Sequence, residues 1–177
     1  MSSPDPPSGY SFQRFDPSVH SREEFDCEME QINIFLKTQV SQAQARYLSS
    51  TSVLISCESS CPHPIVGYVT LCPADVPFSE LPQPLGRGLP KNRPIPALLL
   101  ARLGIDRNHK GQGLGEFLVK FAFLEAIDLA ERVGCVFLFV DPKPGSREFY
   151  VKYGFEPLPM RPDRLVISVA TLIAARG

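Results

Sequence analysis

Residues 97–120 read "ALLLARLGIDRNHKGQGLGEFLVK": an apolar run, a polar turn with three glycines in five positions, and then a helical pattern without a break. Glycine costs roughly 1 kcal/mol relative to alanine inside a helix, so Gly111, Gly113 and Gly115 at a helix start need a reason. The first turn of a helix carries unpaired N–H donors and a partial positive charge, which together seat a phosphate or pyrophosphate. Bare backbone lets that anion come close. Two known phosphate loops do not fit. A dinucleotide fingerprint G-x-G-x-x-G counted from Gly111 ends on Glu116, and counted from Gly113 it ends on Leu118. A Walker A run, G-x-x-x-x-G-K-[ST], is absent from the chain. What remains is Lys110-Gly111-Gln112-Gly113-Leu114-Gly115 between a strand-like run and a helix. A glycine-rich turn without a ligand is the bland alternative.

Upstream of this stretch, Ile32, Phe35, Leu36, Val40 and Ala43 recur at helical spacing, with Asp26 or Cys27 as a candidate cap. "ARYLSSTSVLIS" (45–56) and "PIVGYVTLC" (64–72) read as two strands of an antiparallel hairpin. Residues 73–96 carry seven prolines and no strong period, which reads as a long loop flanking a site. Downstream, a helix is expected from about Gly113 to Val133 and a strand at 135–140. A strand, a helix and a strand in this order form a right-handed crossover with parallel strands, and place the anion seat at the carboxyl edge of the first strand. Ser146 is positioned to cap a short helix that stops at Gly154, and 163–172 reads as a last strand. The expected order is β-α-β-β-β-α-β-α-β. Residues 1–8, with three prolines, read as a loose terminus ahead of one domain at 9–177.

Composition narrows the function. Of 177 residues, 44% are hydrophobic and 21% charged, the profile of a globular domain, and the net charge of −1 gives no overall basic field. Nucleic-acid binding would have to use a local patch. No run approaches the ~20 apolar residues of a membrane span, and "MSSPDPPSGY" lacks the basic and apolar regions of a signal peptide, so a cytoplasmic protein is expected. Five cysteines without a regular framework fit reduced thiols. Cys57, Cys61 and His63 alone make a weak metal site, and none is expected.

The order of elements and the glycine loop resemble the GNAT N-acetyltransferases, an α+β fold with a mixed central sheet, helices on both faces and an acyl-CoA pyrophosphate loop at a helix N-terminus. Their loop pattern is [RQ]-x-x-G-x-[GA], and here Lys110 stands where Arg or Gln is usual. "FDCEMEQINIFL" (25–36), "QAQARYLSSTSVLI" (42–55), "IVGYVTL" (65–71), "IPALLLARLGIDRNHKGQGLG" (95–115) and "FYVKYGFEPLP" (149–159) together resemble the GNAT toxins of bacterial toxin–antitoxin modules. That resemblance implies acetyl transfer from acetyl-CoA to the α-amino group of aminoacyl-tRNA, and neutralisation by a ribbon-helix-helix antitoxin. A homodimer is among the assemblies it admits. A stand-alone acetyltransferase of a small amine or a protein N-terminus is the alternative, and a CoA-binding protein without turnover is the second.

The resemblance also implies roles. Pantetheine pairs with main chain around Leu103 and Ile105, and pyrophosphate takes the amides of Lys110, Gly111, Gln112, Gly113, Leu114 and Gly115. Tyr150 aligns with the tyrosine that protonates the leaving thiolate; a phenol near pKa 10 is close enough to a thiol to share a proton. Packing alone would also explain Tyr150, since Phe149 and Tyr153 lie i,i+4 beside it, and Tyr153 is the second choice of donor. No general base stands out, and an α-amino group of pKa ~8 can lose its proton to water. Arg102 alternates with Gly104 and Asp106 on the strand face opposite Leu103 and Ile105, where it either meets substrate phosphate or pairs with an acid. Arg87, Lys91 and Arg93, with Lys143 and Arg147, could line a basic rim for tRNA, or simply a solvated loop.

Overall fold

The structure is a computed structural model that describes residues 4–176, so residues 1–3 of the stretch expected to be loose lie outside the described residues. In chain order the elements are β1 (Tyr10–Arg14), β2 (His20–Ser21), α1 (Glu30–Ile34), a π-turn (Phe35–Gln39), α2 (Val40–Ala45), β3 (Ser50–Ser56) and β4 (His63–Val76). A 3-10 turn (Phe78–Glu80), α3 (Gln83–Gly86), β5 (Ile95–Ile105), a second 3-10 turn (Arg107–His109) and α4 (Leu114–Arg132) follow. The chain ends with β6 (Phe137–Val140), α5 (Arg147–Val151), β7 (Glu156–Leu158), β8 (Arg161–Ser168) and α6 (Val169–Arg176). Strand order is β1-β3-β4-β5-β6-β8-β7, with β2 on β4.

The chain divides into two compact units. The first runs to Cys72 and adds Ala101–Ala122. In it β1 pairs antiparallel with β3, and β3 antiparallel with β4. Its core gathers Phe15, Phe25, Ile32, Phe35, Leu36, Val40 and Tyr68, so the apolar stripe expected of the first helix is the buried one. Tyr68 is fully buried, and its hydroxyl is satisfied by donating to the Ile32 carbonyl at 2.7 Å.

The second unit holds Pro73–Leu100 and the chain from Phe123 onward. Here β5 and β6 pair in parallel, as the crossover required, and β8 lies antiparallel to β6 and β7. Val76, Ile95, Ala97, Phe137, Phe139, Leu158 and Val166 form its core. The proline-rich segment expected as loop is more ordered than that. It carries the first 3-10 turn and α3, and Leu81, Leu85 and Leu89 pack on this core.

Four local expectations are corrected, three by the use of a polar side chain and one by the backbone. The first helix begins after Met29 with no side-chain cap. Neither Asp26 nor Cys27 caps it: Asp26 Oδ1 accepts instead from Glu28 N and Asn33 Nδ2, both at 2.8 Å. The strand expected from residue 45 starts at Ser50, because the helix persists to Ala45 and is closed by Tyr47 at φ +58. Ser146 does stand at the start of α5, but its hydroxyl donates to the Lys143 carbonyl at 2.7 Å and caps nothing. The last strand stops at Ser168, whose Oγ accepts from Thr171 N at 3.1 Å and so opens α6.

Thr51 and Thr70 face each other across β3 and β4, buried, with hydroxyls 2.7 Å apart. Thr70→Val strands the Thr51 hydroxyl in the core and is expected to cost about 1–3 kcal/mol, while Thr51→Val/Thr70→Val together should cost much less. Urea denaturation of the two variants checks this; a double variant as weak as the single would contradict it.

Candidate active site

The glycine loop belongs to the first unit, where a carboxylate organises it. Asp106 ends β5 with only 6% of its surface exposed. Its Oδ1 accepts from Asn108 N at 2.9 Å and its Oδ2 from Asp26 N at 3.0 Å, while its own N–H donates to the Val66 carbonyl at 2.8 Å. The acid thus ties β4, the approach to α1 and the 3-10 turn into one corner. Arg107 N adds a bond to the Asp26 carbonyl at 2.8 Å. Glu28, in the left-handed region at φ +65, pairs with the Lys110 ammonium, and the Tyr10 hydroxyl donates to Gln112 Oε1. Both side chains of the loop's leading half are therefore pulled outward.

What is left is main chain. Gly111 and Gly113 both sit at φ +76, a conformation that a side chain would strain, and a Cβ on either would meet nothing within 4 Å. Among the described residues the amides of Gly111, Gln112, Gly113, Leu114 and Gly115 find no acceptor. Phe117 N donates to the Gly113 carbonyl at 3.1 Å, so α4 is wound directly onto these donors. The open space at Gly111 and Gly113 and the five free N–H groups fit a pyrophosphate such as that of acetyl-CoA.

Leu103 and Ile105 lie on the same strand just before the loop. The parallel register of β5 with β6 covers four pairs, Ala97↔Phe137 to Leu100↔Val140, and β5 then continues to Ile105. The main chain of Ala101–Ile105 on that edge has passed its last β6 partner and can take an extended ligand arm. Alternation on the strand is as expected. A Cβ on Gly104 would sit 2.8 Å from Ile32 Cγ2, and Arg102 lies on the same side with its guanidinium 4.8 Å from the Phe35 ring centroid. No acid pairs with Arg102 among the described residues.

Tyr150 belongs to the second unit, on α5. Its ring is packed edge-on against Phe149 at 5.1 Å and Phe155 at 5.8 Å, so the packing alternative is real for the ring. Its hydroxyl has no partner among the described residues. Burial pushes the phenol's pKa up, so the proton is held firmly. Tyr153 contacts Phe149 at 5.2 Å.

Arg87, Lys91 and Arg93 are exposed in this unit and form no ion pair among the described residues; Lys91 lies 6.0 Å from the Phe78 ring. Arg147 is used locally, donating to the Pro162 carbonyl at 2.7 Å. Cys57, Cys61 and His63 are not drawn into a metal site: His63 Nδ1 bonds Ser59 Oγ at 2.9 Å, and no group of three or more His, Cys, Asp or Glu among the described residues could hold an ion. No helix among them is long and apolar enough to cross a membrane. Sequence reasoning missed Tyr10, Asp26 and Glu28 as supports of the loop. The Asp106-x-Asn108 and Asp26-x-Glu28 turns did carry a local signal, the short acid that accepts from an amide two residues on.

The model of the family described as "Acetyltransferase (GNAT) domain" matches residues 53–157. The "Probable toxin TacT" of Sinorhizobium fredii is 24% identical over 170 residues, covering 92% of this chain and 92% of that protein. The "tRNA-acetylating toxin" of Mycobacterium tuberculosis is 32% identical over 104 residues, covering 58% of this chain and 61% of that protein. Among solved structures, "AtaT complexed with acetyl-methionyl-tRNAfMet" superposes with a TM-score of 0.85 at 26% identity, covering 95% of this chain and 99% of that one.

Gly113→Glu places a side chain at a left-handed position and a negative charge on the anion seat. Acetyl-CoA affinity measured by calorimetry is expected to fall beyond detection while the thermal midpoint stays close to wild type. Unchanged affinity in a folded variant would remove the loop from the binding site.

Proposed function

The chain belongs to the GNAT acetyltransferase family and is an acetyl-CoA-dependent N-acetyltransferase; on that premise we propose that its acceptor is the α-amino group of aminoacyl-tRNA and that it acts as a translation-blocking toxin. One observation carries the substrate reading: the chain aligns along almost its whole length with a protein solved together with an acetylated aminoacyl-tRNA. The same proposal places it in the cytoplasm, where charged tRNA is used, working as a single domain over residues 9–177. A ribbon-helix-helix antitoxin and a homodimer belong to it as well.

The geometry supports the following roles in this reading. The amides from Lys110 to Gly115 hold the pyrophosphate, and the edge of β5 at Leu103 and Ile105 aligns the arm that ends in the thioester. Acetyl-CoA supplies the activated acyl group. The acceptor amine, with an ordinary pKa of about 8, is roughly one-tenth neutral at pH 7 and can lose its proton to water, so it needs position more than a dedicated base. Tyr150 then gives its proton to the departing sulfur. A buried phenol is a weaker acid than a solvated one, but a thiolate released where water is scarce is destabilised by the same cause, so the transfer stays near balance. Arg87, Lys91 and Arg93, uncompensated by acids, are placed in this reading on the tRNA phosphates, and Arg102 on the substrate as well.

Three outcomes are expected. Tyr150→Phe keeps the packed ring and removes the donor, so single-turnover acetylation should fall about 10²-fold or more with acetyl-CoA affinity and thermal midpoint nearly unchanged, whereas Tyr153→Phe should be near normal; a larger loss in the second variant would reverse the assignment. The acid form of Tyr150 is the active one and its pKa is raised, so the rate should climb through about pH 8 as the amine deprotonates and show no alkaline decline up to about pH 10. Finally, charged-tRNA acetylation should fall steeply with salt, and an Arg87/Lys91/Arg93 triple alanine variant should lose it while keeping acetyl-CoA affinity. Salt-insensitive turnover on a free amino acid would favour the small-amine enzyme, and acetyl-CoA binding with no turnover on any amine would favour the binding protein.

A further inference from the structure

Arg102 is a partly buried cation of the first unit that no acid answers among the described residues. It lies on β5 beyond the last β6 partner, on the face that also carries Gly104. Its Nη1 donates to the Ala101 carbonyl at 2.8 Å, and Phe35 lies beneath the guanidinium, 4.8 Å from ring centroid to Cζ. Phe35 is the first residue of the π-turn, an irregularity that is frequent at functional sites, and its ring in turn stacks on Tyr68 at 6.5 Å. The head group is thus pinned in plane and orientation. Yet Nε is buried with no acceptor, Nη2 has none either, and of the two only Nε is sealed. No carboxylate pairs with it among the described residues. A fixed, partly desolvated guanidinium with unmade bonds is a receptor for an oxyanion.

Which oxyanion follows from distance and from the chemistry of the acceptor. Asp106, where the glycine loop begins, is four residues further along the strand, about 13 Å at ~3.3 Å per residue, so a pyrophosphate seated on the loop is out of Arg102's reach. In a free amino acid the anion beside the amine is a carboxylate. In an aminoacyl ester that carboxyl is neutral, and the nearest anion is the phosphodiester one nucleotide in from the ester. Resting on the substrate reading above, we propose that Arg102 is a substrate-positioning residue that grips this terminal phosphodiester and so sets the α-amine in line with the thioester.

The test compares two acceptors: aminoacyl-tRNA, which has the phosphodiester, and 3′-O-aminoacyl-adenosine, which lacks it. Arg102→Gln is expected to lose tenfold or more in kcat/KM on the tRNA, carried mostly by KM, with no comparable loss on the adenosine ester and unchanged acetyl-CoA affinity. Arg102→Lys, which keeps the charge and stem but not the planar fork, should fall between and remains informative if the glutamine variant does not fold. Equal losses on both acceptors, or wild-type kinetics on tRNA in both variants, would overturn the role of Arg102 while leaving the substrate reading intact. A wild-type enzyme that acetylates neither acceptor would overturn the substrate reading and this role together.

Discussion

The Asp106 carboxylate is the constraint from which the binding loop takes its shape. It is buried at the end of β5 and spends its two oxygens on amides from two separate segments, Asn108 of the following turn and Asp26 ahead of the first helix. Those bonds fix where the strand stops and how the chain turns toward α4. Because the turn is settled by Asp106, the next residues are released from structural duty: Lys110 and Gln112 reach outward to Glu28 and Tyr10, and the glycines keep their amides free. An anion seat needs donors that are fixed in place and unused, and this arrangement gives both.

Chemistry is then divided between rigid main chain and a few side chains. In the proposed reading, binding and alignment fall to backbone groups of β5 and the loop, which cannot be lost to a side-chain substitution except where a glycine is replaced. In the proposed reaction proton donation falls to Tyr150, whose ring is locked by Phe149 and Phe155 while its hydroxyl has no partner among the described residues. A side chain that is held by its body and open at its polar tip suits a proton donor, since the packing that orients it does not compete for the proton.

Much of this was legible in the sequence because it rests on local rules. The 3.6-residue period from Ile32 to Ala43, the unbroken apolar run at 97–105 and the glycines at the start of α4 each mark their element directly, and the parallel crossover follows from their order. Boundaries were less legible where a polar side chain had two uses. Asp26 could cap a helix or brace a turn, and its carboxylate is taken by Glu28 N and Asn33 Nδ2 on either side of the helix start, a choice that residue type and spacing leave open. The end of β8 failed for a different reason: "VATLIAAR" is apolar enough to continue a strand, and only the Ser168 hydroxyl on Thr171 N turns it into a helix. Tyr10 and Glu28 could not be seen as loop supports at all, since their contacts span |i−j| of 102 and 82.

The central claim is that the acetyl group ends on the α-nitrogen of an aminoacyl-tRNA. Total charged tRNA, incubated with the protein and acetyl-CoA carrying a labelled acetyl group, can be hydrolysed at the ester and the released amino acids read by mass spectrometry. The account predicts labelled N-acetyl-amino acid released only from the tRNA fraction and only when the protein is present. Label confined to free amino acids or to protein, with the tRNA-borne amino acids unmodified, would contradict it.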